Sequence, residues 1–264
     1  MLVIAERINA TRSRIGKAIA ERNARVLARE ARKQTEAGAS YIDVNAGSDP
    51  ARELENFEWA VGVVMDNTDL PISLDSPDPE VLRLGLGLVG ERPAILNSVT
   101  GEHQKMEQVL PLAAESGASL VALTMDDRGL PETVERRVEV AQAIAEAAGK
   151  SGIGLDRLYF DPCIQPLSTS PAQAPAALRA VREIMCSLPG AHTTCGLSNI
   201  SFGLPNRGLI NRTYLACLIA AGLDSAIIDP TAEGMMDTVR AADALAGRDE
   251  WCMQYIQAMR QQMQ

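Results

Sequence analysis

The sequence predicts an α/β chain folded as one (β/α)8 barrel, and three observations carry that expectation. Eight short runs rich in Val, Ile and Leu alternate with eight longer amphipathic patterns along 264 residues. The runs are apolar on both faces, as parallel strands covered by helices are. About 250 residues is the usual size of such a barrel, and 46% hydrophobic against 22% charged residues supplies a sizeable core. No linker-like or low-complexity stretch divides the chain. Residues 1–264 read as one domain, with 248–264 as a C-terminal helix.

The elements follow in order. Leu2–Ala5 is an apolar run, and Arg14–Ala37 after it has helical periodicity ending at Gly38, a C′ glycine. Tyr41–Ala46 precedes the helical pattern Ala51–Asn67. Ile72–Ser76 precedes Pro79–Val89, opened by Asp78-Pro79-Glu80. Gly85-Leu86-Gly87-Leu88-Val89-Gly90 spells a dinucleotide fingerprint, but it closes a helix instead of opening one after a strand. We read it as packing glycines and a stop. Ala94–Val99 leads to Glu102–Ser116 and Gly117, and Leu120–Met125 leads to Pro131–Ala148. Leu158–Pro162 leads to Pro171–Ser187, Thr193–Asn199 to Leu209–Ala221, and Ser225–Asp229 to Glu233–Ala246. In the tail, Trp251, Tyr255, Met259 and Met263 recur every four residues, an apolar helix face. Packing on its own barrel is the preferred reading of that face, and a subunit contact the sharper one.

A net charge of −9 argues against nucleic acid as the main partner, because phosphate neutralisation needs a basic face. Five cysteines, odd in number and without CxxC pairing, fit free thiols in a reducing cytoplasm. The N-terminal apolar run meets Glu6 too early for a signal peptide. No stretch approaches the roughly 20 apolar residues of a membrane span. Two histidines, His103 and His192, do not make a histidine metal centre, and no metal site is expected. Cys195 has no histidine nearby in sequence and reads as a structural thiol.

Function is carried by what ends each strand. Glu6 and Asn9 follow the first run; Asp43 and Asn45 lie on the second; Asp75 ends the third and Asn97 the fourth. Asp126, Asp161, Ser198-Asn199 and Asp229 continue the series. Singly, such residues cap helices or make Asx turns. Repeated on eight strands, they converge on the mouth where barrel active sites form. Carboxylates with amides suit a flat heterocycle: a carboxylate accepts two parallel hydrogen bonds from a 2-amino-4-oxo-pyrimidine edge, and Asn reads the remaining ring atoms. Arg207, on the loop after the seventh strand, reads equally as an anion holder or a loop salt bridge.

These residues lie in stretches that resemble the pterin-binding methyltransferases. The stretches are AERINATRSR, YIDVNAG, LDSPDPEVLRLGL, ILNSVTGE, ALTMDDRGLP, LYFDP and GLSNISFGLPNRGLINRTYL, in order along nearly the whole chain. The likeness is greatest to methyltetrahydrofolate:corrinoid/iron–sulfur protein methyltransferase and to the tetrahydrofolate methyltransferases of corrinoid demethylation systems. Ala5 stands where the family commonly has glycine, and Phe202 where some relatives are polar. The resemblance implies a homodimeric barrel that moves a methyl group between N5 of tetrahydrofolate and the cobalt of a corrinoid (cobalamin) carried by a partner protein. It implies that Asp75, Asn97 and Asp161 bind the pterin ring and that Asn199 is the catalytic residue near N5. Gly196, Ser198, Phe202 and Arg207 would line the neighbouring wall, with Glu6, Asn9, Asp43 and Asn45 in support. The alternatives are a dihydropteroate synthase-like enzyme and a non-catalytic folate-binding subunit.

Overall fold

Side-chain parity along the strands builds the barrel. In the computed structural model, which describes residues 1–262, eight parallel strands pair in the order β7-β6-β5-β4-β3-β2-β1-β8. They are β1 (Leu2–Asn9), β2 (Tyr41–Asn45), β3 (Ile72–Asp75), β4 (Ala94–Thr100), β5 (Ser119–Leu123), β6 (Leu158–Asp161), β7 (His192–Thr193) and β8 (Ser225–Ile228). The ring closes between β7 and β8 through a parallel bridge of Gly196 with Ile227 and the Ile227 N–H donating to the Cys195 carbonyl at 2.9 Å. Successive side chains alternate faces. Ile42 and Val44, Ile72 and Leu74, and Leu158 and Phe160 pack outward against the helices. The inward set begins with Ile4, Ile95, Val121 and Tyr159, a small buried cluster. One step further along, the same parity presents Asp43, Ser73, Asn97 and Asp161.

The helices are α1 (Ser13–Ala20), α2 (Ala24–Glu36), α3 (Glu53–Met65), α4 (Pro79–Val89), α5 (His103–Ser116) and α6 (Val134–Lys150). They continue with α7 (Gln173–Ser187), α8 (Arg207–Ala221), α9 (Met235–Leu245) and α10 (Met253–Gln262). Between the sheet and α1–α6 lies the largest apolar cluster, centred on Leu27, Phe57, Leu74, Leu96 and Ile144. A second, with Val181, Leu215, Leu218 and Val239, joins α7–α9 to β8 and to Val3 of β1. Gly117 ends α5 in the left-handed conformation (φ 73), which an L side chain adopts only with strain. Gly85 packs within α4 and Gly90 stops it, as expected of packing glycines and a stop, while Gly87 is exposed. No helix among the described residues is long and apolar enough to cross a membrane.

Three elements differ from the sequence expectation. The pattern Arg14–Ala37 is two helices, broken where Arg22 takes φ 53. Its guanidinium there donates to Asn56 Oδ1 (2.9 Å) and Glu55 Oε1 (2.5 Å) and lies over the Trp59 ring, an anchorage that continuous periodicity does not reveal. The seventh strand, expected over Thr193–Asn199, stops at Thr193. Beyond it the chain turns into a 3-10 segment, Leu197–Asn199, because only Cys195 and Gly196 still reach β8. The tail helix starts at Met253 after a turn at Trp251, which is 83% exposed. Met253 is exposed too, whereas Tyr255 and Met259 are half-buried, so the apolar face is only partly covered; Met263 lies outside the described residues.

Gly16 sets the loop between β1 and α1. A Cβ there would lie 2.4 Å from the Ala10 carbonyl oxygen, a backbone atom that cannot swing aside. Gly16→Ala should therefore lower stability by about 1–3 kcal/mol despite alanine's better helix propensity. Denaturant midpoints at unchanged m-value measure it; an equal or higher midpoint would mean that the loop yields freely.

Candidate active site

The C-terminal strand ends frame two adjoining chambers. The first, of about 430 Å³, is lined by Glu6, Asn9, Asp43, Asp75, Asn97, Ser198 and Asn199, with Leu123 and Ile227 as apolar walls. Register shifts in β1 between Ala5 and Ile8 and in β4 between Asn97 and Val99 accompany the turn of these strand ends towards the mouth.

Asp43 and Asp75 form its polar floor. Asp43 is 2% exposed, and its Oδ1 accepts from Ser73 Oγ at 2.6 Å and from Asn97 Nδ2 at 3.2 Å. Burial, then the charge of Asp75, raises its pKa well above the ordinary carboxylate range. Burial also pushes Asp75 up to about 6, although Asn45 and Asp43 both hydrogen-bond to it. Two carboxylates this close hold one proton between them. The pair therefore holds a proton more readily than an ordinary carboxylate does, and both side chains line the cavity. Asn45 does not line the chamber; it steadies Asp75 and accepts the Gly47 N–H at 3.1 Å. Asn9 makes an Asx turn, taking the N–H and hydroxyl of Thr11 at 3.0 and 2.7 Å.

Asp161 lies behind the wall formed by Gly196. It is 7% exposed, and its oxygens accept N–H groups of Cys163 (2.7 Å) and Gly196 (3.3 Å). Burial raises its pKa to about 6 against the lowering effect of those two bonds. A carboxylate has about four lone-pair sites, so acceptor capacity remains. Burial likewise keeps the Cys195 thiol protonated, consistent with a structural role.

Glu6 belongs to both chambers. Its Oε1 accepts from Ser198 Oγ at 2.7 Å and from Arg12 Nη2 at 2.9 Å, and burial raises its pKa. Asn199 is exposed at the mouth, and its side-chain amide makes no hydrogen bond among the described residues. Arg207 lines the second chamber, of about 440 Å³, with Arg212, Asn211, Asp229 and Met235. Among the described residues it makes no loop salt bridge: Nε donates to Ser201 Oγ (3.0 Å) and Nη2 to the Ser198 carbonyl (2.7 Å). Phe202 lines neither chamber and is 66% exposed.

The sequence reading passed over Arg12, Asn211 and Arg212. Arg12 lies three residues beyond Asn9. The second pair carried a visible signal, the dipeptide Asn-Arg repeated at 206–207 and 211–212.

Residues 5–229 match the family described as pterin binding enzyme. The chain is 41% identical to a methylcorrinoid:tetrahydrofolate methyltransferase of Eubacterium limosum, across 99% of this chain and 97% of that protein. It is 34% identical to a methionine synthase of Mycobacterium leprae (strain TN) over 86% of this chain, a region that makes up 20% of that longer enzyme. Dihydropteroate synthase from Xanthomonas albilineans, solved in complex with 7,8-dihydropteroate, shares the fold with a TM-score of 0.75 at 20% identity. That likeness covers 92% of this chain and 93% of the other.

Proposed function

The chain belongs to the pterin-binding enzymes, and from that premise we propose that it moves a methyl group from a protein-bound methylcorrinoid to N5 of tetrahydrofolate. The observation that carries the reading is the near full-length similarity to a relative of that name, joined to a mouth built from carboxylates and amides. The dihydropteroate synthase alternative is not favoured, because its likeness concerns the fold at 20% identity.

The first chamber suits the pterin. Ionised Asp75, and Asp161 behind Gly196, take the N–H donors of the amino-pyrimidine edge, and Asn97 reads a neighbouring ring atom. Leu123 and Ile227 give the ring apolar walls. Asn199 stands at N5. The corrinoid, supplied on a partner, carries the methyl group on its cobalt. The N5–methyl bond forms while the cobalt–methyl bond breaks and leaves its electron pair on the metal. N5 must then shed a proton. Asn199 accepts the N5–H before transfer and donates to the new tertiary amine afterwards, since an amide does both. An amide is no terminal base, so water must pass the proton to a carboxylate facing the same chamber, Glu6 or Asp75.

Exposed Phe202 (66%) and Leu209 (52%), just after β7, support a partner docking over the mouth. A homodimer and a cytoplasmic setting belong to the same proposal. Exposed Leu245, Trp251 and Met253 support the first, and five free cysteines the second.

The test combines purified protein, its mass measured by light scattering, with tetrahydrofolate and methylcobalamin or a methylated corrinoid protein. Cobalt absorbance and 5-methyltetrahydrofolate should change together. Tight folate binding with neither change, on either corrinoid, would reduce the chain to a binding subunit.

A further inference from the structure

We infer that Arg137 is a positioning residue, a buried cation that holds Asp161 in its ionised form without occupying the acceptor sites that the pterin needs. This rests on the reading above that Asp161 takes N–H donors of the ring.

Arg137 stands one turn into α6, at the end of the barrel where the strands reach the mouth. It is the bulkiest fully buried side chain among the described residues. Nε donates to the Pro131 carbonyl at 3.3 Å and Nη2 to Gln173 Oε1 at 2.7 Å, while Nη1 is buried without a hydrogen-bond partner. No carboxylate lies within ion-pair distance of it among the described residues. A guanidinium stays charged, and a buried charge is costly unless something compensates it. Two neutral oxygens could be served by a neutral donor. A cation in this place needs a negative charge nearby.

That charge is on Asp161. The groups that the guanidinium acts on are Asp161 at the end of β6, Cys163 in the loop after it and Tyr214 of α8. The last two are no counter-ions. Burial pushes the Cys163 thiol up to about 12 and raises the Tyr214 phenol as well, so both are neutral around pH 7. Cys195, the other thiol that feels Asp161, is raised by burial too. The separation of cation and carboxylate suits binding. A direct fork of arginine on carboxylate would fill both oxygens. Here those oxygens take the N–H groups of Cys163 and Gly196 instead. Neutral Pro131 and Gln173 hold the guanidinium back and leave its charge uncancelled. It therefore favours the anion, while lone pairs remain for a ligand.

The ligand-free protein tests this first. The Asp161 carboxyl carbon, labelled with carbon-13 and assigned by Asp161→Asn, should titrate at about 6 in the wild type. Arg137→Met removes the charge and should raise that midpoint by about half to one pH unit, whereas Arg137→Lys should leave it near the wild-type value. Should Arg137→Met fail to fold, Gln173→Glu decides. It keeps the shape of the side chain, pairs the guanidinium directly and should raise the midpoint in the same direction. Binding of a tail-less tetrahydropterin follows. Affinity is lost as pH falls through the Asp161 midpoint, so a raised midpoint brings the loss at higher pH. Arg137→Met should weaken binding about two- to fivefold at pH 6 and hardly at pH 8. A midpoint that neither Arg137→Met nor Gln173→Glu moves overturns the inference. So does an equal loss of affinity at pH 6 and pH 8, the mark of a merely structural role. A midpoint that moves in a protein that binds no tetrahydropterin at either pH strikes the folate reading instead.

Discussion

Asn199→Ala is expected to slow methyl transfer about 10²–10³-fold while tetrahydrofolate affinity falls by no more than about threefold. The asymmetry follows from what the amide faces. Asn199 is the last residue of the 3-10 turn Leu197–Asn199, and its side chain has no internal hydrogen bond to lose. On the proposed reading ring affinity comes from the floor and the wall behind it, Asp75, Asn97 and Asp161, which the substitution leaves in place. On the same reading alanine removes the group that holds N5 during transfer, where the bonding of that nitrogen changes most. Interactions stronger in the transition state than in the ground state act on rate. Single-turnover rates with saturating folate, set beside equilibrium Kd values, separate the two. Equal losses in rate and affinity would make Asn199 an ordinary binding residue.

Much of this was legible in the sequence because a parallel barrel repeats one rule eight times. Apolar strands predicted the sheet, and the polar residues following β1 to β4, β7 and β8 predicted the mouth, whereas Asp126 pairs with Arg136 and Asp161 lies outside the lining. Hydrophobic pattern alone does not say where a strand loses its partner. That is why β7 was expected to run to Asn199, whereas it ends at Thr193 and leaves Ser198 and Asn199 on a turn. The break at Arg22 escaped for a similar reason: it depends on Asn56 and Glu55, more than thirty residues away. Asp43 was expected only in support. Its raised pKa depends on burial and on the neighbouring charge of Asp75, which spacing does not encode. Phe202 lay in a matching motif, yet a loop residue can keep its place in sequence and still point to solvent.

The second large effect concerns Asp75. Asp75→Asn should raise the Kd of a tail-less tetrahydropterin about 10–100-fold, the scale of one or two hydrogen bonds to a charged group. It swaps an anionic acceptor for an amide that turns a donor towards ligand donors. The titration gives a sharper check. Asp75 and Asp161 both have their pKa raised to about 6 by burial, and the proposed contacts with the ring require both to be ionised. A ligand that hydrogen-bonds the ionised form lowers that pKa in the complex. Affinity is therefore full above about 6 and is lost as pH falls through it. With two such groups, log Kd should rise towards about two units per pH unit below 6 in the wild type, and towards about one in Asp75→Asn. Protonation of the ligand itself enters both proteins alike and cancels in the difference. Thermal unfolding of the variant shows whether Asp43, left with a neutral neighbour, still supports the floor. A Kd unchanged by the substitution, with an unchanged slope, would place the ring edge on Asp161 and not on the Asp43–Asp75 pair.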